Sequence, residues 1–259
     1  MKRRAVLMLI PSLGLALPAP AGAQGANVVD AVNKAGRQRT LSQRMSKAYL
    51  ALCMDVSKDK ALAVLGESVS AFERNIVELR GFAPREDIKW TFRDLDTAWH
   101  PYKMLLAQPP QRDRIAQLLA LEDKLLQLAT QGATQIEQLS GKPMVRMVSL
   151  TARQRMLSQR AAKLYLALAG NAPVPGLDQQ LAGVRGDFKV ALAQLESEMH
   201  ATTAVRRQLD MVRQQWTFLD LASDHQPATH RALENAFAAS ENVLGLMEVM
   251  TATLARQLA

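Results

Sequence analysis

The sequence predicts an all-α fold: two tandem antiparallel four-helix bundles, related by internal duplication about a pseudo-two-fold axis. Three observations carry this expectation. Ala, Leu, Gln, Arg and Glu dominate a chain that is only 5% aromatic, a mixture that favours helices, and no alternating β-branched run suggests a strand. Apolar stripes with three-four spacing alternate with short Gly/Pro breaks, as antiparallel helical neighbours require. One phrase is also written twice. It reads Ala35-Gly36-Arg37-Gln38-Arg39-Thr40-Leu41-Ser42-Gln43-Arg44 and continues through Lys47 and Tyr49-Leu50-Ala51-Leu52. It returns 116 positions later from Thr151-Ala152-Arg153-Gln154-Arg155 through Ser158-Gln159-Arg160 and Lys163 to Tyr165-Leu166-Ala167-Leu168. A repeat of this length reads as one structural unit used twice.

The elements follow in order. The first helix is expected over Val28–Val56, carrying the phrase. The second runs over Lys60–Arg80 and stops at Gly81, with Val69, Phe72, Ile76 and Leu79 as its stripe. Pro84 starts the third, which holds Trp90-Thr91-Phe92 and is expected to break at His100-Pro101 and Pro109-Pro110. The fourth spans Arg112–Leu139, striped by Leu118, Leu121, Leu125 and Leu128. Gly141-Lys142-Pro143 is a stop followed by a start. The plan then recurs: Met144–Ala169, a punctuated loop over Gly170–Gly176, Phe188, Leu192 and Leu195 at the 116 offset, Trp216-Thr217-Phe218 against Trp90-Thr91-Phe92 at an offset of 126, and a last helix over Pro227–Leu258. The expected division is residues 1–23, 24–141 and 142–259. A single mixed eight-helix bundle is the alternative.

Residues 1–23 read as a secretory signal peptide: basic Met1-Lys2-Arg3-Arg4, an apolar stretch from Ala5 to Ala19, and Ala21-Gly22-Ala23 as the cleavage site before Gln24. The expected location is therefore periplasmic. Cleavage removes three basic residues and no acid, lowering the formal charge from +8 to +5. No later stretch has the apolar length of a membrane span. The mild basic excess suits an anionic ligand or partner. It does not argue for nucleic acid, because the basic residues are interleaved with acids. Cys53 is the only cysteine, so an intramolecular disulfide and a cysteine zinc site are both excluded; it reads as a small core residue.

On one face of the first helix, Val32, Ala35, Arg39, Ser42 and Ser46 align; the matching face is Val148, Thr151, Arg155, Ser158 and Ala162. Small residues let two helices approach closely, and one arginine interrupts the stripe at the same place in both copies. Packed across an axis, Arg39 and Arg155 would converge. Two guanidinium groups taken out of water repel and cannot lose their protons, whereas a small planar anion between them accepts charge-assisted hydrogen bonds from both. Arg37, Arg44, Arg153 and Arg160 lie off this face and read as surface or inter-bundle charges. Trp90 and Trp216 read as bundle anchors.

Asn33-Lys34-Ala35-Gly36-x-x-Arg39-x-x-Ser42-x-Arg44 resembles the P-box of NarX-type nitrate/nitrite sensor kinases, and Arg37-Gln38-Arg39 through Leu52 is similar to PilJ-type sensor domains of type IV pilus chemotaxis transducers. The resemblance implies a periplasmic helical sensor in which two P-box helices hold one nitrate between a symmetric arginine pair and nearby backbone. It assigns ligand binding to Arg39, Arg155, Gly36, Ala152, Ser42 and Ser158. The chain resembles a covalent dimer of such a sensor. It departs from the pattern at Ala152, which replaces the glycine, and at Thr40, where Met156 keeps the methionine of the NarX pattern. With no kinase core and no methyl-accepting coiled coil, the expected partner is a membrane-bound signalling or transport protein. The expected function is an exported sensor-type protein that binds nitrate or nitrite. The alternative is a ligand-free helical interaction module docking on a membrane receptor or on pilus and chemotaxis machinery. His100, His200, His225 and His230 lack metal-ligand spacing, and no nucleophile elbow, phosphate loop or dinucleotide fingerprint is present. The sequence therefore implies no metal, no cofactor and no enzyme.

Overall fold

The computed structural model describes residues 21–198, 203–224 and 228–256. Residues 1–20, which carry most of the expected signal peptide, lie outside them, as do His200, His225, Pro227 and residues 257–259. Eight α-helices follow in order: α1 Ala21–Cys53, α2 Lys58–Phe82, α3 Glu86–Leu106, α4 Ile115–Glu137, α5 Pro143–Ala169, α6 Leu177–Glu198, α7 Thr203–Asp224 and α8 His230–Arg256. A single 3-10 turn over Arg112–Arg114 precedes α4. Among the described residues there is no strand, so the fold is all-α as the composition predicts. Among the described residues no helix is long and apolar enough to cross a membrane.

The helices fold back through short turns of two similar designs. Asp55 and Asn171, 116 positions apart, take left-handed backbone (φ 56° and 52°) just past the ends of α1 and α5. Asp and Asn tolerate that region better than most residues. The next amides then reach back to the open carbonyls, Val56 N–H to Ala51 and Ala172 N–H to Ala167, each at 2.9 Å.

Helix α1 packs on α2, α4 and α5, and α5 packs on α6, α8 and α1. Both are therefore covered on nearly every side, which explains why the polar residues of the repeated phrase are buried. Gln38, Ser42, Gln43, Ser46 and Lys47 are inaccessible, as are their counterparts Gln154, Ser158 and Gln159. Each makes at least one hydrogen bond inside, although the Oε1 atoms of Gln38, Gln43, Gln154 and Gln159 accept none. Gln38 donates to the Phe72 carbonyl and Gln154 to the Phe188 carbonyl, both at 3.2 Å. Burying such groups unpaired would be destabilising.

Three sequence expectations are corrected. Pro101 does not end α3, which continues to Leu106. Trp99, Tyr102, Leu105 and Leu106 are all buried on either side of it, and burying large side chains at about 1.5–3 kcal/mol each outweighs one lost hydrogen bond. The aromatic alignment also shifts. Trp90 is 57% exposed, whereas Trp99 is buried and packs on Phe72 with ring centroids 4.5 Å apart. Trp216 stacks on Phe188 at 3.7 Å. The partner of Trp216 in the first half is thus Trp99, 117 positions earlier, and the 126 offset disappears. Cys53 is half-buried, not fully buried, and burial pushes its thiol up to about 11.

The closest approach between α1 and α5 joins Gly36 to Ala152. A Cβ on Gly36 would lie 2.4 Å from that of Ala152, a distance carbon atoms do not occupy, so the helices meet this closely only because residue 36 is glycine. Gly36→Ala is expected to destabilise the protein by about 1–3 kcal/mol through overpacking, despite alanine's higher helix propensity. Gly36→Ala with Ala152→Gly should recover most of that loss. Urea unfolding of the two single variants and the pair checks the coupling.

Candidate functional site

Arg39 and Arg155 sit one turn beyond the Gly36–Ala152 contact, one on each helix. They do not share the same surroundings. Arg155 is 2% exposed and donates through Nη2 to Asn33 Oδ1 on α1 at 2.7 Å. Arg39 is half-buried and lines a cleft of about 540 Å3 between α4 and α5. Among the described residues neither arginine is in an ion pair, and the Nε of each is buried without a hydrogen-bond partner. Burial pulls both guanidinium groups down to about 10; Glu137 opposes this for Arg39 and Glu248 for Arg155, while Arg153 and the pair Arg37 and Arg39, respectively, add to it. Both stay cationic at neutral pH, and neither is held in an ion pair with a carboxylate. That is a state a bound anion relieves.

The remaining ligand candidates serve the helix contact in this structure. Gly36 and Ala152 touch each other. Ser42 and Ser158 turn their hydroxyls to the carbonyls of Arg39 and Arg155, both at 2.9 Å.

Around this contact runs a set of polar links, most of which cross between the halves. Lys47 of α1 reaches Glu241 at 2.7 Å and Ser240 at 2.8 Å on α8, and lies 4.3 Å from the Phe237 ring centroid. Lys163 of α5 pairs with Glu122 on α4, which also accepts from Gln43. Gln159 donates to the Ser240 carbonyl at 2.8 Å. Arg44 forks onto Glu241, with Nη2 2.6 Å from Oε2, and Arg37 reaches Glu248 at 3.0 Å. Burial pulls the Lys47 ammonium down to about 8 against the attraction of Glu241. Burial would raise the Glu241 carboxyl, but Lys47 and Arg44 prevail and hold it at about 2.

The cleft beside Arg39 is the feature that residue-by-residue reading of the sequence missed. Its α5 wall carries Arg146, Arg153 and Arg160, and Glu137 on α4 is the one carboxylate among its lining residues. The seven-residue spacing of those arginines was the available signal, because it places them on one face of a helix.

Among the described residues no three His, Cys, Asp or Glu side chains are placed to hold a metal ion. What the fold and site define is a helical bundle with two arginines, one buried and one half-buried, outside any ion pair at the junction of two long helices. Residues 23–123 match the family model described as PilJ, type IV pili methyl-accepting chemotaxis transducer N-term. The match spans α1 to α3 and the first part of α4. No curated protein and no solved structure matches the chain at a significant level.

The Glu241 carboxyl is depressed from its ordinary 4.5 to about 2, so its contribution is present above pH 4.5 and is lost as pH falls through 2. At 1.36 kcal/mol per pH unit this amounts to roughly 3 kcal/mol. Unfolding free energy is expected to fall between pH 4.5 and pH 2 in the parent. Glu241→Gln should be less stable at pH 7 and show a shallower acid slope, measured by urea titrations at fixed ionic strength.

Proposed function

We propose that this chain is a sensor-type binding protein without catalytic activity, which takes a small oxyanion, nitrate or nitrite first, at the junction of α1 and α5 and reports it to a membrane-bound signalling or transport partner of a chemotaxis-type system. The observation that carries this reading is the pair of desolvated arginines, Arg39 and Arg155, flanking the Gly36–Ala152 contact without a carboxylate. The PilJ match supports a role in signalling. In this reading residues 24–141 and 142–259 are two copies of one bundle, and residues 1–23 direct export to the periplasm. The recurrence of the Gln38–Phe72 and Gln154–Phe188 contacts supports the two-copy description.

An anion entering here would draw Arg155 from Asn33 and Arg39 toward the helix contact. Because α1 and α5 are joined to α8 and α4 by the crossed lysine pairs, a shift at the contact moves several helices together. A second reading, a ligand-free module that docks on a receptor or on pilus machinery, is favoured by exposed Trp90 and Met104 on α3 and by Met211 and Phe218 on α7.

Thermal melts against nitrate, nitrite, sulfate, phosphate and chloride at matched ionic strength test the first reading. A specific ligand raises stability by RT ln(1 + [L]/Kd), about 2.7 kcal/mol at one hundred times Kd. A selective shift with nitrate or nitrite, abolished by Arg155→Ala and by Arg39→Ala, is the expected result. Identical melts with every anion up to millimolar concentrations would leave the docking module as the reading.

A further inference from the structure

Positions 116 apart in the repeated phrase make it possible to compare the two sides of the α1/α5 junction. On the α8 side the phrase's outer arginines are neutralised. Arg37 pairs with Glu248, and Arg44 with Glu241 and Glu67 while also donating to Ser68. Their counterparts on the α4 side are Arg153 and Arg160, and there the neutralising groups are missing. Glu67 and Ser68 correspond to Gly183 and Val184. The crossed lysine pairs relate Glu241 to Glu122, 119 positions earlier. The same step takes Glu248 to Ala129, and Glu122 itself is occupied by Lys163 and Gln43.

Arg160 is accordingly in no ion pair among the described residues, and its Nε is buried without a partner. Arg153 has only a loose, exposed contact with Asp187 at 3.9 Å. The polar partner of Arg155 is Asn33, whose counterpart is Ser149, and Ser149 is turned to Glu137 at 2.6 Å. Three arginines, Arg39, Arg153 and Arg160, therefore face one cleft with their protein counter-charges replaced or diverted.

We infer that this cleft is a binding site for a small organic polycarboxylate, distinct from the oxyanion position between Arg39 and Arg155. Its volume of about 540 Å3 lies in the range of small-molecule sites, roughly 300–1,000 Å3, far more than one planar inorganic anion fills. Arg153 and Arg160 are seven residues apart, about 10 Å along the helix, so they engage two separate carboxylates better than one. Between them Leu126, Leu150 and Met156 supply an apolar wall for a carbon chain, and Thr130 supplies a hydroxyl. Each arginine fork matches a carboxylate with two parallel hydrogen bonds. A more open hollow of about 710 Å3 adjoins at the α4–α5 connector through Thr134, Glu137 and Arg146. Its lining balances Lys142 and Arg146 against Glu137 and Glu198, so it offers an approach and no second anion site.

Isothermal titration of the full chain with citrate, succinate, sulfate and nitrate at matched ionic strength tests this. Saturable binding of citrate or succinate is expected, weakened at least tenfold by Arg160→Ala and by Arg153→Ala. Arg37→Ala, the same change on the neutralised side, should leave it within twofold. Arg155→Ala should abolish nitrate binding and spare that of citrate or succinate. No saturable heat with either polycarboxylate, or equal affinity in the parent and Arg160→Ala, overturns the inference. Polycarboxylate binding without nitrate binding removes the oxyanion reading and leaves this one standing; nitrate binding alone does the reverse.

Discussion

The contact between Gly36 and Ala152 is the constraint on which the rest of the structure depends. It brings the two longest-buried helices to a separation that no larger side chain permits. At that separation Lys47 can cross to α8 and Lys163 to α4. A wider junction would leave both ammonium groups stranded in the interior, and breaking a buried pair by removing one partner typically costs 3–5 kcal/mol. At the same junction the Nε atoms of Arg39 and Arg155 are buried without a hydrogen-bond partner. The packing and the buried polar links are thus consequences of one missing methyl group.

The helical class, the turns and the central role of the first helix in each half were legible in the sequence, because they rest on local periodicity and on a phrase repeated almost residue for residue. The anchors were not. Trp216 was matched to Trp90 by a three-letter coincidence, Trp-Thr-Phe, while the true counterpart Trp99 has no similar neighbours and is identified only by its ring contact with Phe72. Pro101 was read as a break because the sequence displays the lost amide and hides the burial of Trp99 and Tyr102 that keeps the helix intact.

The site was legible in its arginines and illegible in their partners. Arg39 and Arg155 stand out as charges on a small-residue face. Whether each meets a carboxylate depends on α4 and α8, which carry no copy of the phrase and lie 41 to 211 residues away along the chain in the links that matter. Arg37, Arg44, Arg153 and Arg160 looked alike in sequence. In three dimensions Glu241 and Glu248 neutralise the first two, and Ala129 and Gly183 stand where the second two would need an acid. Repetition in the phrase conceals a divergence in everything that surrounds it.

The crossed lysine pairs also bear on what the connector between α4 and α5 is for. Each half lends one lysine to the other and takes one in return, much as exchanged arms lock two subunits together. The halves are therefore held by non-covalent exchange, and the peptide link through Gly141 chiefly guarantees that unlike partners meet. A chain nicked at that link would still migrate as one particle. The covalent tether frees the two surfaces to differ, because neither has to match a copy of itself, so an arginine neutralised on one flank can stand without its acid on the other.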